Sequence, residues 1–224
     1  SRFLDKMNLM DCSFCTTSPE ILKFPKKNKV FYIPNPADES FENLDIYKNK
    51  TFNNDVFFAM SHGVHRGTLK RGKFDKREIF INKLIKKIPN IKFDLYGLNG
   101  IQPLWADNYK KAISNSKMAL NLSQGNSTKY YSSDRITQLI GNGLLTFIHK
   151  DTLFDNFFSD DEIVFYSDIS SLSEKIQKYA KDDKLRKKIA KKGKVKYMKF
   201  FNSTVIADYI INKTFDIKYK KDKY

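Results

Sequence analysis

The sequence predicts an α/β fold: a doubly wound, mostly parallel sheet of Rossmann-like form with extra helices at its C-terminal end. Three observations predict it. Seven short apolar runs recur along the 224 residues, stretches with helical spacing lie between the later runs, and three more helical stretches follow the last one. Such runs suit strands, and strands alternating with helices pair in parallel through right-handed crossovers. Hydrophobic residues make up 41% of the chain and aromatics 14%, enough for a real core and against wholesale disorder. The length allows one large domain with an appended piece, not two full-sized α/β domains.

In chain order, residues 12–16 and 30–33 are the first two strands. With their surroundings, residues 1–40 read as the remnant of an upstream domain plus the crossover leading out of it. The stretch PNPADESFENLDIYKNKTFNN, with two Pro, clustered Asn and Asp and little apolar periodicity, makes 41–54 a linker. The core domain is 55–201. Its strands are 56–60, 91–96, 118–122, 144–148 and 163–166. Phe80, Leu84 and Ile88 at i, i+4, i+8 mark one helix, and Ile136, Leu139 and Ile140 at i, i+3, i+4 another. Helical stretches follow at about 170–181, 183–198 and 203–214, the first with Leu172, Ile176, Tyr179 and Ala180 on one face. Residues 202–224 form a C-terminal helix and basic tail. The loop 61–76 is unusually long for a strand-to-helix connection, and loops at the carboxyl ends of parallel strands are where open α/β sheets bind ligands.

Charge is unevenly placed. The total is +16, but residues 170–224 hold seventeen Lys or Arg against six Asp or Glu, an excess of +11 that leaves +5 for the rest. Only six basic residues are Arg (Arg2, Arg66, Arg71, Arg77, Arg135, Arg186). Arginine offers the bidentate fork used for phosphate, so these are the better functional candidates. Lys184, Lys188, Lys191 and Lys199 fall at helical spacings, with Lys187 and Lys192 alongside. That stripe suits either contact with an anionic membrane surface or a solvated face. No apolar run of 18 residues exists and the N-terminus lacks a signal-peptide core, so the chain reads as cytoplasmic, with peripheral contact at the inner face of the membrane as the alternative location. Its first residue, Ser1, reads as the start of an excised piece.

Two constellations carry chemistry. SHGVHRGTLKRGKFDKR combines three Gly, two His and several cations, including Gly63, His65 and Arg66. Glycines let backbone N–H groups approach an anion and the cations neutralise it; the alternative is a solvated basic loop. In SQGNSTKYYSSDRITQLIGNGLLTFI, residues 123–148, a strand runs into a loop and a helix begins near Asp134 with Ser132 or Ser133 as N-cap. Free N–H groups, the helix dipole and Arg135 in the first turn would hold a diphosphate; the alternative for Arg135 is a surface residue on a capped helix. Gln138 lies on the same side at i+3, and the Gly141, Asn142, Gly143 run is a helix C-cap. The spacing Cys12-x2-Cys15 with His62-x2-His65 imitates a metal set, yet the gap between the pairs is far too long for a zinc finger and the cysteines lie in a strand. No metal is expected. Hydrolase motifs such as G-x-S-x-G and H-E-x-x-H are absent.

From about residue 29 to 203 the order of features resembles the C-terminal, donor-nucleotide-binding half of a GT-B glycosyltransferase, particularly the CgeB-like and group 1 (GT4-like) families. The matching pieces are KVFYIPNPAD, DVFFAMSHG, IKFDLYG, SKMALNLSQG, SSDRITQLIGNGLLTFI and EIVFYSDISSLSEKIQKYAKDDKLRKKIAKKG. The resemblance implies transfer of a sugar from a nucleotide-activated donor to a glycan or lipid-linked acceptor, as in cell-envelope polysaccharide synthesis, without a metal or other cofactor and with retention of configuration. By similarity Arg135 and Arg66 serve the diphosphate as catalytic residues. Gly63, His65, Ser132, Ser133, Gln138 and Gly97 bind the donor, Gln138 standing where the family usually carries a Glu on the ribose. The paired-Glu motif is not kept, since Tyr130 occupies the position eight residues before Gln138. Two other readings come from different classes: a basic α/β module binding nucleic acid, disfavoured because the charge is mostly Lys on terminal helices and the aromatics lie in strands, and a noncatalytic sugar- or nucleotide-binding domain.

Overall fold

A computed structural model of the chain describes residues 2–7, 9–22, 24, 29–61, 64–65, 68–69, 75–123 and 128–217. The chain opens with α1 (Arg2–Met7), β1 (Ser13–Cys15) and β2 (Val30–Tyr32), the two strands forming a small parallel ladder. The main sheet begins with β3 (Asn54–Ala59). A short antiparallel pair follows, β4 (Val64–His65) and β5 (Thr68–Leu69), and then α2 (Lys76–Lys87), β6 (Phe93–Tyr96), α3 (Ala106–Ser114) and β7 (Ser116–Asn121). Beyond these lie α4 (Asp134–Gly141), β8 (Leu145–His149), β9 (Val164–Tyr166), α5 (Ile169–Lys181), α6 (Asp183–Phe200) and α7 (Ser203–Thr214). The five long-range strands pair in parallel in the order β6-β3-β7-β8-β9. The doubly wound parallel sheet is therefore as the sequence predicts, and strand order reverses at β3.

Alternation along the strands decides what covers each face. Val56 and Phe58 of β3 are fully buried together with Ile81 and Leu84 of α2 and with Leu172 and Ile176 of α5. Phe57 and Ala59 point the other way, into a cluster with Ala112 and Ile113 of α3 and Leu139 of α4. This is the period of two that a strand buried on both sides requires. Helices α2, α5, α6 and α7 start at residues whose side chains accept the free N–H groups of a first turn. Asp75 accepts from Arg77 N, Asp168 from Ser170 N and Ser171 N, Asp182 from Leu185 N, and Asn202 from Val205 N. Helix α3 has no counterpart in the sequence reading: it runs nine residues, and its apolar positions Tyr109, Ala112 and Ile113 cover barely one turn.

Residues 41–54, polar in composition, pack on the sheet's α3 and α4 side. Ile46 is 2% exposed and opens a 3-10 turn, Ile46–Lys48. Its N–H donates to Asn142 O at 3.0 Å, and Leu44 N–H donates to Asn142 Oδ1 at 3.0 Å. From α6, Lys194 Nζ donates to Leu44 O at 2.6 Å and to Asp45 Oδ1 at 2.9 Å. Hydrogen bonds from Lys48 and then Lys194 pull the Asp45 carboxyl down to about 2. A carboxylate whose folded pKa lies below its unfolded value contributes stability that is whole above about pH 4 and lost as pH falls toward the folded value. The drop in urea midpoint between pH 6 and about pH 3 is accordingly expected to be smaller in Asp45→Asn than in the wild type; an equal drop would show that Asp45 plays no part in acid sensitivity.

Residues near the two ends of the chain meet on one flank. Ala37 N–H donates to Phe201 O at 2.8 Å and Ser203 N–H to Ala37 O at 2.7 Å, a single parallel bridge between the crossover and the start of α7. Cys12 Sγ lies 3.3 Å from Thr214 Oγ1, Lys29 pairs with Asp216 at 2.7 Å, and Phe14 meets Tyr209 edge-on. Tyr197 of α6, fully buried, donates its hydroxyl to Asn35 O at 2.8 Å.

Candidate functional site

A cavity of about 950 Å³ opens outside the carboxyl ends of β3 and β7, on the α3 and α4 side. In an open parallel sheet this is the crevice where neighbouring strands send their connections apart. Helix α4 supplies one wall. Its apolar positions Ile136, Leu139 and Ile140 are buried against the sheet, which leaves Arg135, Gln138 and Asn142, at successive turns, facing the cavity.

Arg135 is fixed by backbone. Its Nε donates to Ala59 O at 3.1 Å, where β3 ends, and its Nη1 to Leu122 O at 3.0 Å, just past the end of β7. The guanidinium also sits over the Phe58 ring at 5.5 Å. Burial pulls its pKa below the ordinary arginine value, with nearby Arg77 adding to the effect; an arginine remains charged nonetheless. Among the described residues Arg135 has no carboxylate partner. A held cation without a carboxylate beside it on a cavity wall favours anionic groups in that cavity.

Ser133 is the N-cap of α4 in extended conformation, but its side chain caps nothing: Oγ is buried with no hydrogen-bond partner among the described residues. It lines the cavity beside Arg135. Tyr109 of α3 lines it too. Its hydroxyl is likewise buried and unpartnered, pushed up to about 12 by burial. The Ser133 and Tyr109 hydroxyls, which have no hydrogen-bond partner among the described residues, thus share the cavity with the Arg135 guanidinium, which two backbone carbonyls hold in place.

The expected site residues divide. Arg135, Ser133 and Gln138 share the cavity. Ser132 does not line it: it is 1% exposed, and its Oγ accepts the Asn35 N–H at 2.9 Å, a strut between the crossover and α4. Gly97, at φ 78°, donates to Ile101 O at 3.0 Å; a Cβ there would stand 1.7 Å from Met60 O, so packing as well as the left-handed φ requires glycine. His65 contributes backbone to β4, while Gly63 and Arg66 lie outside the described residues.

Of the other cavity residues, Arg77 is among the arginine candidates, whereas Glu42 and Trp105 are not singled out by the sequence. Arg77, already one of the few arginines, stands in the first turn of α2 with Nη2 2.7 Å from Asp75 Oδ2 and Nε 3.1 Å from Oδ1, both residues buried. Glu42, from the stretch read as linker, is 7% exposed on the same wall as Gln138. Trp105 stands half-exposed at the rim, at the N-cap of α3. Arg186 lies away from the cavity, facing inward from α6, where it pairs with Asp183 and stacks over Phe52 at 5.2 Å.

Among the described residues no group of three or more His, Cys, Asp or Glu could hold a metal ion. Cys15 Sγ bonds Thr17 O at 3.1 Å, Cys12 meets Thr214, and His62 is outside the described residues. No helix among the described residues is long and apolar enough to cross a membrane. On α6, Lys184, Lys188, Lys191 and Lys199 are exposed, whereas Lys192, Lys194 and Lys196 pair with Asp161, Asp45 and Glu162.

Residues 76–212, which carry α2 through most of α7 and all of the α4 wall, match the sequence model of a family described as glycosyl transferase-like. The chain belongs to that family. No curated protein matches this glycosyl transferase-like chain. Solved structures share its fold. Anabaena HepE in complex with UDP and glucose matches with a TM-score of 0.66 at 11% identity, over 96% of this chain and 67% of its own. A variant of S. aureus TarM in complex with fondaparinux, α-GlcNAc-glycerol and UDP gives 0.64 at 14% identity, over 94% and 45%. A glycosyltransferase from Rickettsia africae gives 0.63 at 10%, over 97% and 68%. At such identities the likeness is one of fold. The chain spans 45% to 68% of the length of these proteins.

Proposed function

We propose that this glycosyl transferase-like chain is the donor-binding, C-terminal half of a GT-B glycosyltransferase of the CgeB-like or group 1 type, and that the cavity over β3 and β7 takes the nucleoside diphosphate of an activated sugar. One observation carries the reading: Arg135, held on Ala59 O and Leu122 O at the point where strand order reverses, has no ion-pair partner among the described residues and stands beside an unpartnered Ser133 hydroxyl at a helix N-terminus. These donors suit the leaving diphosphate, whose charge grows as the bond to the sugar breaks. Preorganised donors of that kind lower the barrier without a metal. Arg77, neutralised by Asp75, adds a second guanidinium to the wall. Retention of configuration belongs to the same proposal, with an acceptor that is a glycan or a lipid-linked group; the exposed lysine face of α6 would meet the latter at an anionic membrane surface.

Calorimetry and thermal shift with UDP, GDP, ADP, CMP and their sugar conjugates test the reading. One nucleoside diphosphate is expected to bind and raise the melting temperature, and its sugar conjugate to bind as well. A chain that binds none of them does not use this cavity for a nucleotide donor.

A further inference from the structure

Glu42 stands out among the cavity residues. It is 7% exposed, and its stem lies on α4 at Gly141, where an added Cβ would come within 2.6 Å of the Glu42 Cγ. Oε2 accepts the Asp38 N–H at 2.8 Å, so the carboxylate is held. Among the described residues no Lys or Arg pairs with it; Lys110, on the same wall, acts on it only from a distance. Burial pushes the Glu42 carboxyl up. A held carboxylate without an ion pair is best satisfied by neutral O–H donors, which make charge-assisted hydrogen bonds to it. A cationic ligand would also suit a carboxylate, but Arg135, Arg77 and Lys110 give the cavity walls the opposite preference.

Helix α4 sets the spacing. Arg135 and Ser133 form its anion end, Gln138 is one turn along, and Gly141 with Glu42 upon it is about two turns along. At a rise of 1.5 Å per residue these stations lie roughly 5 to 12 Å from the anion end, which is how far the hydroxyls of a pentose reach from the phosphates attached to it. Asn142 ties the arrangement down: its Nδ2 donates to Gln138 O at 2.8 Å and its Oδ1 accepts from Leu44 N, fixing the backbone that carries Glu42.

From this placement we propose that Glu42 reads the ribose of the bound nucleotide, its carboxylate accepting from the vicinal hydroxyls beside Gln138. The proposal rests on the nucleotide reading of the cavity given above.

The test compares ribonucleotides with deoxynucleotides by calorimetry. Of UDP, GDP and ADP, the one that binds wild type most tightly is titrated against its 2′-deoxy and 3′-deoxy counterparts. Wild type is expected to prefer the ribonucleotide by about tenfold, the worth of one hydrogen bond to a charged group. Glu42→Gln keeps an acceptor for the Asp38 N–H and nearly the same volume; its preference is expected to shrink to about twofold with deoxynucleotide affinity unchanged. Glu42→Asp, which withdraws the carboxylate by one methylene, serves should the first variant melt early, and is expected to lose the preference as well. An undiminished preference in these variants, or one that vanishes only in Gln138→Ala, overturns the role of Glu42 while leaving the nucleotide site standing. Absence of binding by any nucleoside diphosphate to wild type overturns the cavity reading itself, and this assignment with it.

Discussion

Arg135→Ala is expected to weaken nucleoside diphosphate binding by on the order of a hundredfold, the worth of one or two charge-assisted hydrogen bonds. The side chain is not a tether waiting for an anion. Its Nε and Nη1 are committed to Ala59 O and Leu122 O, so the cation is already in place before a ligand arrives. Preorganisation of that kind is what makes a single charge valuable, because no side-chain entropy is lost on binding. Arg135→Lys keeps the charge but cannot bridge two carbonyls at once, and it should recover only part of the affinity. Lys192→Ala is the comparison: Lys192 already pairs with Asp161 on the outer side of α6, and its loss should change affinity less than about twofold. Calorimetry on the three variants decides. A larger effect at Lys192 than at Arg135 would move the anion site to the lysine-rich helix. Melting curves run alongside, since the Ala variant also strips two carbonyls of their donors.

Gly97→Ala is expected to cost about 3 to 4 kcal/mol of stability, which for a chain of this size lowers the melting temperature by roughly 6 to 16 °C. Two faults add. At φ 78° an alanine occupies the left-handed region at about 1 to 2 kcal/mol. Its Cβ would also stand 1.7 Å from Met60 O and 2.7 Å from Met60 C, a backbone that cannot swing aside as a flexible side chain would. Relief requires the end of β3 to part from the turn after β6. Gly100 separates the two faults, because it has the same φ and nothing within 4 Å of its added Cβ. Gly100→Ala should cost only about 1 to 2 kcal/mol. Urea midpoints for the pair give the answer: if both variants lose the same stability, the clash with Met60 is relieved cheaply and the packing account of Gly97 fails.

What the sequence disclosed follows from what residue patterns encode. The strands of the main sheet are legible because Val56 to Met60, Met118 to Leu122 and Leu144 to Ile148 are apolar on both faces, as central parallel strands must be. Helices α5 and α6 are legible because their buried sides recur over several turns, as at Arg186, Ile189, Ala190, Gly193 and Tyr197 of α6. Arg135, Ser133 and Gln138 came to the cavity because a loop followed by a capped helix places its first turn at the sheet's carboxyl edge. Glu42 stayed hidden for the opposite reason. Its neighbours Pro34, Pro36, Asp38, Asn43 and Asp45 look like linker, and only the pairing of Leu44 and Ile46 with Asn142, about a hundred residues away, turns that stretch into a wall. Local composition cannot report a partner that distant. Ser132 and Ser133 were interchangeable in sequence, and the Asn35 amide separates them by claiming the first.

The meeting of the chain's two flanks has a kinetic consequence. β1, β2 and the crossover at Ala37 find some of their partners in α7 and at the Phe201 carbonyl just before it, more than 160 residues later, through Thr214, Tyr209 and Ser203. Contacts so far apart in sequence bear the loop-closure cost before they return anything, and chains rich in them fold slowly. During synthesis the contacts of β1, β2 and the crossover with Lys129, Ser132 and Phe157 can form before those with α7, which wait until that helix is released. The parallel sheet between them can assemble meanwhile from neighbouring βα units, so the closing of this flank is expected to be the final and slowest phase of folding.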